Sequence, residues 1–412
     1  MKKTIIGPFT QLIPLSGLPA KGALKDEGLR IIKRGAVLVS NGKILKVGFF
    51  DDLKKEADET TYIEGDSVCL PGFIDAHTHI CFGGSRAKDY ALRNAGKTYL
   101  EIAKAGGGIW DTVTKTRQAS EEELIRGIIQ RSQVHLKRGI TTIEIKSGYG
   151  LSVDEELKML RAVKKASEVV VQDIVPTCLA AHMTPKDWSG SPSSYLEEIS
   201  KQLFPILKSE GLAHRIDAFI EESAFSAQEI DPYFMAARRY GFDITVHADQ
   251  FTTNGSKVAI EHKAISADHL EASEEKEIAN LAKSDTIAVA LPGASLGLGC
   301  NFTPARKILD QGGALAIASD HNPGSAPMGD LLTQASILGT FEKLTNAEVL
   351  CGITGRAAKA LNLNDRGRLE TGAIADLVVF PSRNYQEITY HQGQMKPTMV
   401  FKNGKQVVSS SS

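Results

Sequence analysis

The chain has 412 residues, of which 42% are hydrophobic and 24% are charged, a balance typical of globular proteins. Its formal net charge of −1 supplies no basic surface, so neither nucleic acid nor an anionic membrane is expected as a partner. No stretch approaches the roughly 18 apolar residues of a membrane-spanning helix, and five scattered cysteines without a C-x-x-C pair favour a cytoplasmic location.

Short β-strands are predicted at both ends of the chain. Residues 36–48 contain two apolar runs on either side of Asn41-Gly42, and residues 397–408 repeat this arrangement around Asn403-Gly404. An Asn-Gly pair between two apolar runs is the strongest short-range signal for a β-hairpin. We therefore expect residues 1–68 and 363–412 to form one composite β-sandwich module.

The intervening residues, 69–362, alternate between short apolar runs and longer amphipathic segments. Strands that alternate with helices form parallel sheets, and eight such units close into a barrel of about 250 residues. We therefore predict an α/β fold with a (β/α)₈, TIM-like barrel. The predicted strands cover residues 73–80, 141–146, 173–182, 216–222, 243–247, 264–269, 286–291 and 314–320. The main predicted helices cover residues 97–105, 121–138, 154–169, 193–210, 227–240 and 255–262.

Polar side chains concentrate at the carboxyl ends of the predicted strands, the edge where such barrels carry their active sites. They are His77, His79, Lys146, Tyr149, His182, Glu221, His247, His269 and Asp320. The other histidines fall on predicted helices or in loops, where an exposed imidazole is expected. They are His135, His214, His262, His321 and His391, of which His321 follows Asp320 directly into the barrel mouth.

Four of these residues make a set of metal ligands. His77 and His79 lie two residues apart on one predicted strand, so both imidazoles face the same side. H-x-H alone is weak evidence, since two polar residues in an ordinary strand give the same pattern. With His247 from the fifth strand and Asp320 from the eighth, three nitrogens and one oxygen suit Zn²⁺ or Fe²⁺. Such an ion activates water as a nucleophile, and His269 would hold that water or donate to the developing oxyanion.

Seven motifs along the predicted barrel carry a family resemblance. They cover residues 77–86, 106–109, 144–151, 180–182, 247–250, 266–270 and 319–325. The chain resembles the amidohydrolase superfamily, and its motifs are similar to those of the imidazolonepropionase family, which acts in histidine degradation. H-x-H with a late aspartate is common to the superfamily, whereas the F-G-G-S-R, K-S-G-Y-G and N-P-G-S segments are much narrower.

The resemblance implies that 4-imidazolone-5-propanoate is hydrolysed at a ring C–N bond to N-formimidoyl-L-glutamate. It implies that the metal ligands are His77, His79, His247 and Asp320. It implies substrate or product contacts for Arg86, Tyr149, His182, Gln250, Asn322, Gly324 and Ser325. Chemistry supports Arg86 and Tyr149 independently, because a propanoate suits a bidentate guanidinium with a hydroxyl beside it. A surface ion pair for Arg86 and a turn-packing role for Tyr149 are the alternatives.

Three positions depart from the family pattern. Gln250 stands where some members carry a glutamate proposed as the base, and an amide cannot accept a proton. Asp320 and His269 are then the catalytic bases available, and Gln250 is expected to orient the ring. Leu296-Gly297 occupies a loop where aromatic residues are expected, and His321 stands where an apolar residue is usual.

One Zn²⁺ or Fe ion per chain is expected. Two-metal members of the superfamily use a modified lysine on the fourth strand, whereas this fourth strand ends in Glu221-Glu222 and Lys146 ends the second. We therefore expect a structural or electrostatic role for Lys146. Glu221 would contact either the substrate ring or the residues around the site.

Two other functions stay open. A related amidohydrolase or deaminase would act on another small carboxylated nitrogen heterocycle, and Arg86 argues against a plain nucleobase, which has no carboxylate. A ligand-binding barrel without catalysis is the second, and it is disfavoured because no metal ligand is missing. The expected partner is a small-molecule substrate, and a homodimer would fit the family resemblance.

Overall fold

The computed structural model describes residues 2–98, 101–102, 105–222 and 224–409, which form two eight-stranded sheets. In chain order the strands are β1 (Thr4–Leu12), β2 (Ile32–Ser40), β3 (Lys43–Phe49), β4 (Glu59–Tyr62), β5 (Val68–Pro71), β6 (Phe73–Asp75), β7 (Ile140–Lys146), β8 (Asp173–Ala181), β9 (Arg215–Phe219), β10 (Asp243–Ala248), β11 (Ser266–His269), β12 (Ile287–Ala290), β13 (Leu315–Ile317), β14 (Leu377–Phe380), β15 (Met399–Lys402) and β16 (Lys405–Ser409).

The α-helices complete the alternating pattern of the barrel segment. They are α1 (Phe50–Leu53), α2 (Ala87–Asn94), α3 (Ile109–Gln118), α4 (Glu121–Lys137), α5 (Val153–Ser167), α6 (Pro192–Glu210), α7 (Ala227–Arg239), α8 (Gly255–Glu261), α9 (Glu275–Lys283), α10 (Pro292–Leu298), α11 (Ala305–Asp310), α12 (Leu331–Glu342), α13 (Asn346–Gly352), α14 (Gly355–Ala360) and α15 (Gln386–Tyr390). The helix predicted at 97–105 lies partly outside the described residues.

One sheet combines strands from both ends of the chain, in the order β16-β15-β14-β5-β1-β2-β3, with β4 paired to β1. Both predicted hairpins are confirmed: Asn41-Gly42 joins β2 to β3, and Asn403-Gly404 joins β15 to β16. All four turn residues have positive φ, between 49° and 75°, which gives the turn whose twist matches antiparallel strands. Side chains from both chain ends share one hydrophobic cluster. The exact division into 1–68, 69–362 and 363–412 stays a prediction.

The second sheet is the predicted barrel, in which β6 to β13 pair in chain order. All these pairs are parallel. Past the ends of β13 and β6, the N–H of Asp320 donates to the carbonyl of His77 at 3.0 Å, and the N–H of His79 donates to that of His321 at 2.9 Å. These bonds join the last strand to the first, so the barrel seam runs beside two of the predicted metal ligands.

The first barrel strand is shorter than predicted. Its ladder covers only Phe73–Asp75, whereas the prediction extended to Ile80. Beyond Asp75 the backbone bonds to the ends of its neighbours: the N–H of Lys146 donates to the carbonyl of Thr78 at 2.9 Å, and Thr78 forms a bridge with His321. The histidines therefore stand at the strand end, as predicted, but outside its regular ladder.

Alternation along the strands places charged side chains inside the barrel. On β7, Ile143 and Ile145 belong to the main hydrophobic cluster, which also contains side chains of the surrounding helices. Successive residues of a strand point to opposite faces, so Glu144 and Lys146 occupy the interior, where both are fully buried. The interior of the barrel therefore carries charges directly below the site.

Candidate active site

Three buried histidines and one aspartate meet at the carboxyl end of the barrel. The Nε2 atom of His79 lies 3.2 Å from that of His77 and 3.3 Å from that of His247. The Oδ1 atom of Asp320 lies 3.4 Å from Nε2 of His79 and 3.6 Å from Nε2 of His77. The fold thus brings together the four residues predicted as metal ligands.

Carboxylates stand next to the outer nitrogens of two of these histidines. Nδ1 of His77 hydrogen-bonds to Oδ2 of Asp268 at 2.6 Å, and Nδ1 of His247 lies 3.0 Å from Oδ2 of Asp217. A neighbouring carboxylate favours the proton on Nδ1, which leaves the Nε2 lone pair facing the shared centre. Lone pairs that converge so closely need a cation between them, so these residues fit a bound divalent metal.

Lys146 lies below this group and offsets its carboxylates. Its Nζ is 2.8 Å from Oε1 of Glu144 and 2.8 Å from Oδ2 of Asp217, and 3.7 Å from Oδ2 of Asp268. Buried carboxylates without a cation would tend to take up protons. The ammonium group of Lys146 therefore helps to keep ionised the two carboxylates that hold His77 and His247. This is an electrostatic role, one of the two roles expected for Lys146.

Glu144, Asp217 and Asp268 are the functional residues that sequence reasoning missed. Each is a charged residue within a strand that is buried throughout, and Glu144 and Asp217 have apolar neighbours on both sides. A charge is rarely buried in a strand unless it is paired. A charged residue inside a predicted buried strand was therefore the sequence feature that could have identified these three residues.

Burial keeps the histidines of the group neutral. It lowers the pKa of His77 and of His79 well below the usual value, and neighbouring positive groups add to the effect. It lowers the pKa of His247 to about 4, although the Asp217 carboxylate opposes the shift. The neutral imidazole is the form that binds metal.

Asp320 and His269 have the properties of groups that exchange protons. Burial raises the pKa of Asp320 to about 6, against the lowering effects of His269 and Asn322. Burial lowers the pKa of His269, but the Glu271 carboxylate, 3.4 Å from its Nδ1, contributes to a net increase. A carboxyl group that titrates near neutrality can accept a proton, and an imidazole that retains its proton can donate one.

Both of these residues have strained backbones. The φ angle is 85° at His269 and 51° at Asp320, in the left-handed region that side-chain-bearing residues seldom adopt. Such strain costs about 1–3 kcal/mol per residue and persists only where the surroundings fix it. Here a hydrogen bond from the Thr303 hydroxyl to the His269 carbonyl and the seam bond from Asp320 to His77 hold the two turns.

A cavity of about 620 Å³ opens above the metal-ligand group. Its apolar lining includes Met183, Phe219 and Leu298. Its floor and walls contain most of the predicted site residues, namely His79, Arg86, Tyr149, His182, His247, Gln250, His269, Asp320, Asn322 and Ser325. Neither His77, which is fully buried, nor Gly324, which contacts the guanidinium of Arg86, is among the lining residues.

Arg86 is fixed at one end and free at the other. Its Nε donates to Oδ2 of Asp89 at 2.8 Å, and the same oxygen accepts the N–H of Gly108 at 2.8 Å. A Cβ atom on Gly324 would lie 2.1 Å from Nη1 of Arg86, so glycine leaves the space that this guanidinium occupies. Among the described residues the two outer nitrogens have no hydrogen-bond partner, so they remain for an anion in the cavity.

Tyr149 and His182 also line the cavity. Their ring centroids are 5.5 Å apart, and the Tyr149 ring lies 5.9 Å from that of His79. Nδ1 of His182 donates to the carbonyl of Gly148 at 2.9 Å, and burial lowers the pKa of His182 to about 4. Its Nε2 is therefore unprotonated and can accept a hydrogen bond from a ring N–H.

Glu221 acts on the loop that follows β10. Its Oε1 accepts the N–H of Phe251 at 2.8 Å and that of Thr252 at 3.1 Å, while its Oε2 accepts the Thr252 hydroxyl at 2.6 Å. These bonds fix the backbone next to Gln250. Of the two roles left open for Glu221, the structure therefore favours the contact with surrounding residues.

Asn322 organises the loop after Asp320. Its Oδ1 accepts the N–H groups of Gly324 and Ser325, both at 2.8 Å, and its Nδ2 donates to Oδ2 of Asp320 at 2.9 Å. Most of its hydrogen-bonding capacity is used within the protein. Asn322 therefore orients Asp320, in addition to lining the cavity.

The unusual Leu296-Gly297 pair lies in α10, against the loop after Asp320. A Cβ atom on Gly297 would meet the carbonyl oxygen of Ser325 at 1.6 Å, so only glycine allows this helix to approach the loop. Leu296 is 39% exposed, and Leu298 is the neighbour that lines the cavity. The pair therefore packs against lining residues of the cavity and does not line it directly.

The prediction of exposed histidines is wrong for His135 and His262, which are 0% and 8% exposed. His135 lies on the buried face of α4, so its position on the helix decides its burial. Its Nε2 is 2.8 Å from Nδ1 of His321, which is half-buried and lies outside the cavity lining. His214 and His391 are exposed, as predicted.

Residues 68–407 match the family model described as "Amidohydrolase family". The imidazolonepropionase of Idiomarina loihiensis is 38% identical over 92% of this chain and 93% of the relative. That of Paracoccus denitrificans is 40% identical over 89% and 92%, and that of a Geobacillus species is 36% identical over 100% and 99%. The chain belongs to the imidazolonepropionase family of amidohydrolases. The family resemblance predicted from the seven motifs is therefore confirmed.

Solved structures of other enzymes share the fold at low sequence identity. A mutant atrazine chlorohydrolase from Arthrobacter aurescens, complexed with zinc and atraton, has a TM-score of 0.71 and 16% identity, covering 98% of this chain and 95% of that one. An adenosine deaminase from Xanthomonas campestris with bound zinc has a TM-score of 0.70 and 17% identity, covering 99% and 93%. The family and the buried histidine group together support a metal cofactor.

None of the helices within the described residues is both long enough and apolar enough to cross a membrane.

Proposed function

We propose that this chain hydrolyses 4-imidazolone-5-propanoate to N-formimidoyl-L-glutamate in histidine degradation. Water adds to the ring carbonyl carbon and the bond from that carbon to the ring nitrogen breaks. The carbon becomes a carboxylate and the nitrogen takes a proton. The observation that carries the proposal is that Arg86, a cation suited to a carboxylate, lines the same cavity as His79, His247 and Asp320.

We propose one Zn²⁺ or Fe²⁺ ion per chain, held by His77, His79, His247 and Asp320. When bound, it would supply a Lewis acid for the ring carbonyl and activate the attacking water. The count is supported by the position of Lys146, which is engaged by Glu144 and Asp217 below the ligands.

The remaining residues bind the substrate and move protons. Arg86 binds the propanoate, with the Tyr149 hydroxyl beside it, and Nε2 of His182 accepts a hydrogen bond from a ring N–H. The Gln250 amide orients the ring from the loop that Glu221 fixes. These contacts place the ring carbonyl over the floor of the cavity.

Proton transfer falls to two groups on the floor. Asp320, whose carboxylate lies 3.4 Å from Nε2 of His79 on the floor, accepts the proton of the attacking water and returns it to the leaving nitrogen. His269 donates to the carbonyl oxygen as negative charge develops on it. Gln250 takes no proton, since an amide has no basic site at neutral pH.

The test is an assay of metal-reconstituted protein with freshly prepared 4-imidazolone-5-propanoate. We expect loss of the substrate's ultraviolet absorbance and equimolar formation of N-formimidoyl-L-glutamate. A panel of other carboxylated nitrogen heterocycles tests the alternative of a related hydrolase or deaminase. Turnover of one of these without turnover of the imidazolone would overturn the assignment.

Two further properties belong to the proposal. We propose a cytoplasmic location, supported by five unpaired cysteines, four of them buried. A homodimer is proposed from the family, and light scattering of the purified chain tests it. A monomeric mass at working concentration would contradict it.

A further inference from the structure

The cavity wall carries a second guanidinium that the roles above do not use. Arg93 lies in the last turn of α2, seven residues after Arg86, and lines the same cavity. Its Nη2 lies 3.5 Å from the carbonyl oxygen of Gly324, the glycine against which Arg86 also packs. Because both side chains contact Gly324, the two guanidiniums reach the same part of the wall.

The charge of Arg93 is not offset by an acidic partner. Asp89 pairs with Arg86, and Lys97, the third cation of this wall, pairs with Glu101 at 2.9 Å. Within residues 2–98, 101–102, 105–222 and 224–409, no ion pair involves Arg93. Its Nε atom is buried and has no hydrogen-bond partner there.

Two neighbouring guanidiniums with one carboxylate leave an excess positive charge at the wall. Burial and the nearby Arg86 cation lower the pKa of Arg93, so its charge costs free energy until an anion approaches. A carboxylate has two oxygens and about four lone-pair sites, enough to accept from two guanidiniums. The excess charge and the unused donors therefore match a bound carboxylate.

We propose that Arg93 is a specificity-determining residue that binds the substrate carboxylate together with Arg86. The inference rests on the proposed function, since it takes the propanoate as the anion. Arg86 supplies the outer nitrogens left free by its bond to Asp89, and Arg93 supplies its terminal nitrogens. A substrate with a neutral tail would leave two close cations without a counter-ion, so the pair selects charged tails.

The first test measures binding without turnover. The probes are 3-(imidazol-4-yl)propanoate and its neutral amide, titrated calorimetrically into the metal-loaded chain. We expect the wild type to prefer the acid, Arg93→Ala to lose about tenfold of that preference, and Arg93→Lys to retain part of it. Arg161→Ala is the matched control, because this arginine lies outside the cavity lining and pairs with Glu210 at 2.7 Å, and its preference should match that of the wild type.

The second test measures hydrolysis of 4-imidazolone-5-propanoate. Arg93→Ala should raise KM about tenfold and leave kcat within about twofold. An unchanged preference for the acid in Arg93→Ala, an equal loss of affinity for acid and amide, or no preference in the wild type would each overturn the inference. If the wild type binds the acid through Arg93 but does not hydrolyse the imidazolone, the proposed function fails and the carboxylate site stands.

Discussion

The floor and the outer wall of the cavity are held in place differently. The floor ligands His77, His79, His247 and Asp320 are at most 3% exposed, and carboxylates from the barrel interior hold two of them from below. The wall carries Arg86, which is held by the ion pair to Asp89. The barrel strands position the floor, whereas a short helix and a loop position the wall. We therefore expect floor substitutions to change kcat and wall substitutions to change KM.

The largest effect is expected at the floor, for His269→Asn. Loss of an oxyanion donor or acid–base group costs roughly 10²–10⁴ in kcat, and KM should change little because the propanoate contacts remain. Steady-state kinetics check this, with His214→Asn as the control, since His214 is exposed. A kcat within threefold of the wild type would place His269 outside the chemical step.

Arg86→Ala tests the wall. Loss of a charge-assisted bidentate contact should cost on the order of 2–4 kcal/mol in kcat/KM, mostly through KM. Arg86→Lys should recover only part, because an ammonium lacks the planar pair of donors. Unchanged kcat/KM in both variants would remove Arg86 from the site.

Gly324→Ala tests whether the space beside Gly324 positions the Arg86 guanidinium. The new Cβ would lie 2.1 Å from Nη1 of Arg86, so the flexible end of that side chain must move while the fold is kept. We expect KM to rise about tenfold, with a Tm close to that of the wild type. Gly28→Ala is the control, since its nearest neighbour would be 4.0 Å away. A large drop in Tm, or an unchanged KM, would contradict this account of Gly324.

The smallest effects are expected at Gln250, which lines the cavity from the loop after β10. Gln250→Ala should mainly raise KM through lost hydrogen bonds to the ring, and Gln250→Glu should retain substantial activity. The acidic limb of the pH–rate profile should persist in both, because Asp320 sets it: as the pH falls, Asp320 gains a proton and can no longer accept one. If Gln250→Ala keeps its KM but loses as much kcat as His269→Asn, Gln250 takes part in the chemical step.

The barrel and its four candidate ligands could be predicted because periodicity and strand ends are local properties of the sequence. The polar residues after each apolar run mark one edge of a parallel barrel. The short ladder of β6 could not be predicted in this way, because its last residues bond to neighbouring strand ends only once the barrel closes. For the same reason, a sequence pattern could not show that Asp320 and His77 meet at the seam.

Other features depend on which side chains meet in three dimensions. Glu144, Asp217 and Asp268 come from three strands, and only their convergence on Lys146 reveals their role. The burial of His135 follows from the face of α4 that it occupies, not from its residue type. Arg93 lines the cavity beside Arg86 because the loop at Gly324 approaches it. The spacing of residues within α2 does not indicate this contact.

The central claim is that three histidines and Asp320 hold one metal ion in a buried site. The most direct test is elemental analysis of the purified chain loaded with Zn²⁺ or Fe²⁺ and freed of excess ion by gel filtration. The wild type should retain about one ion per chain, and His79→Ala should retain almost none while losing activity. Two tightly held ions per wild-type chain, or a full complement in His79→Ala, would contradict the claim.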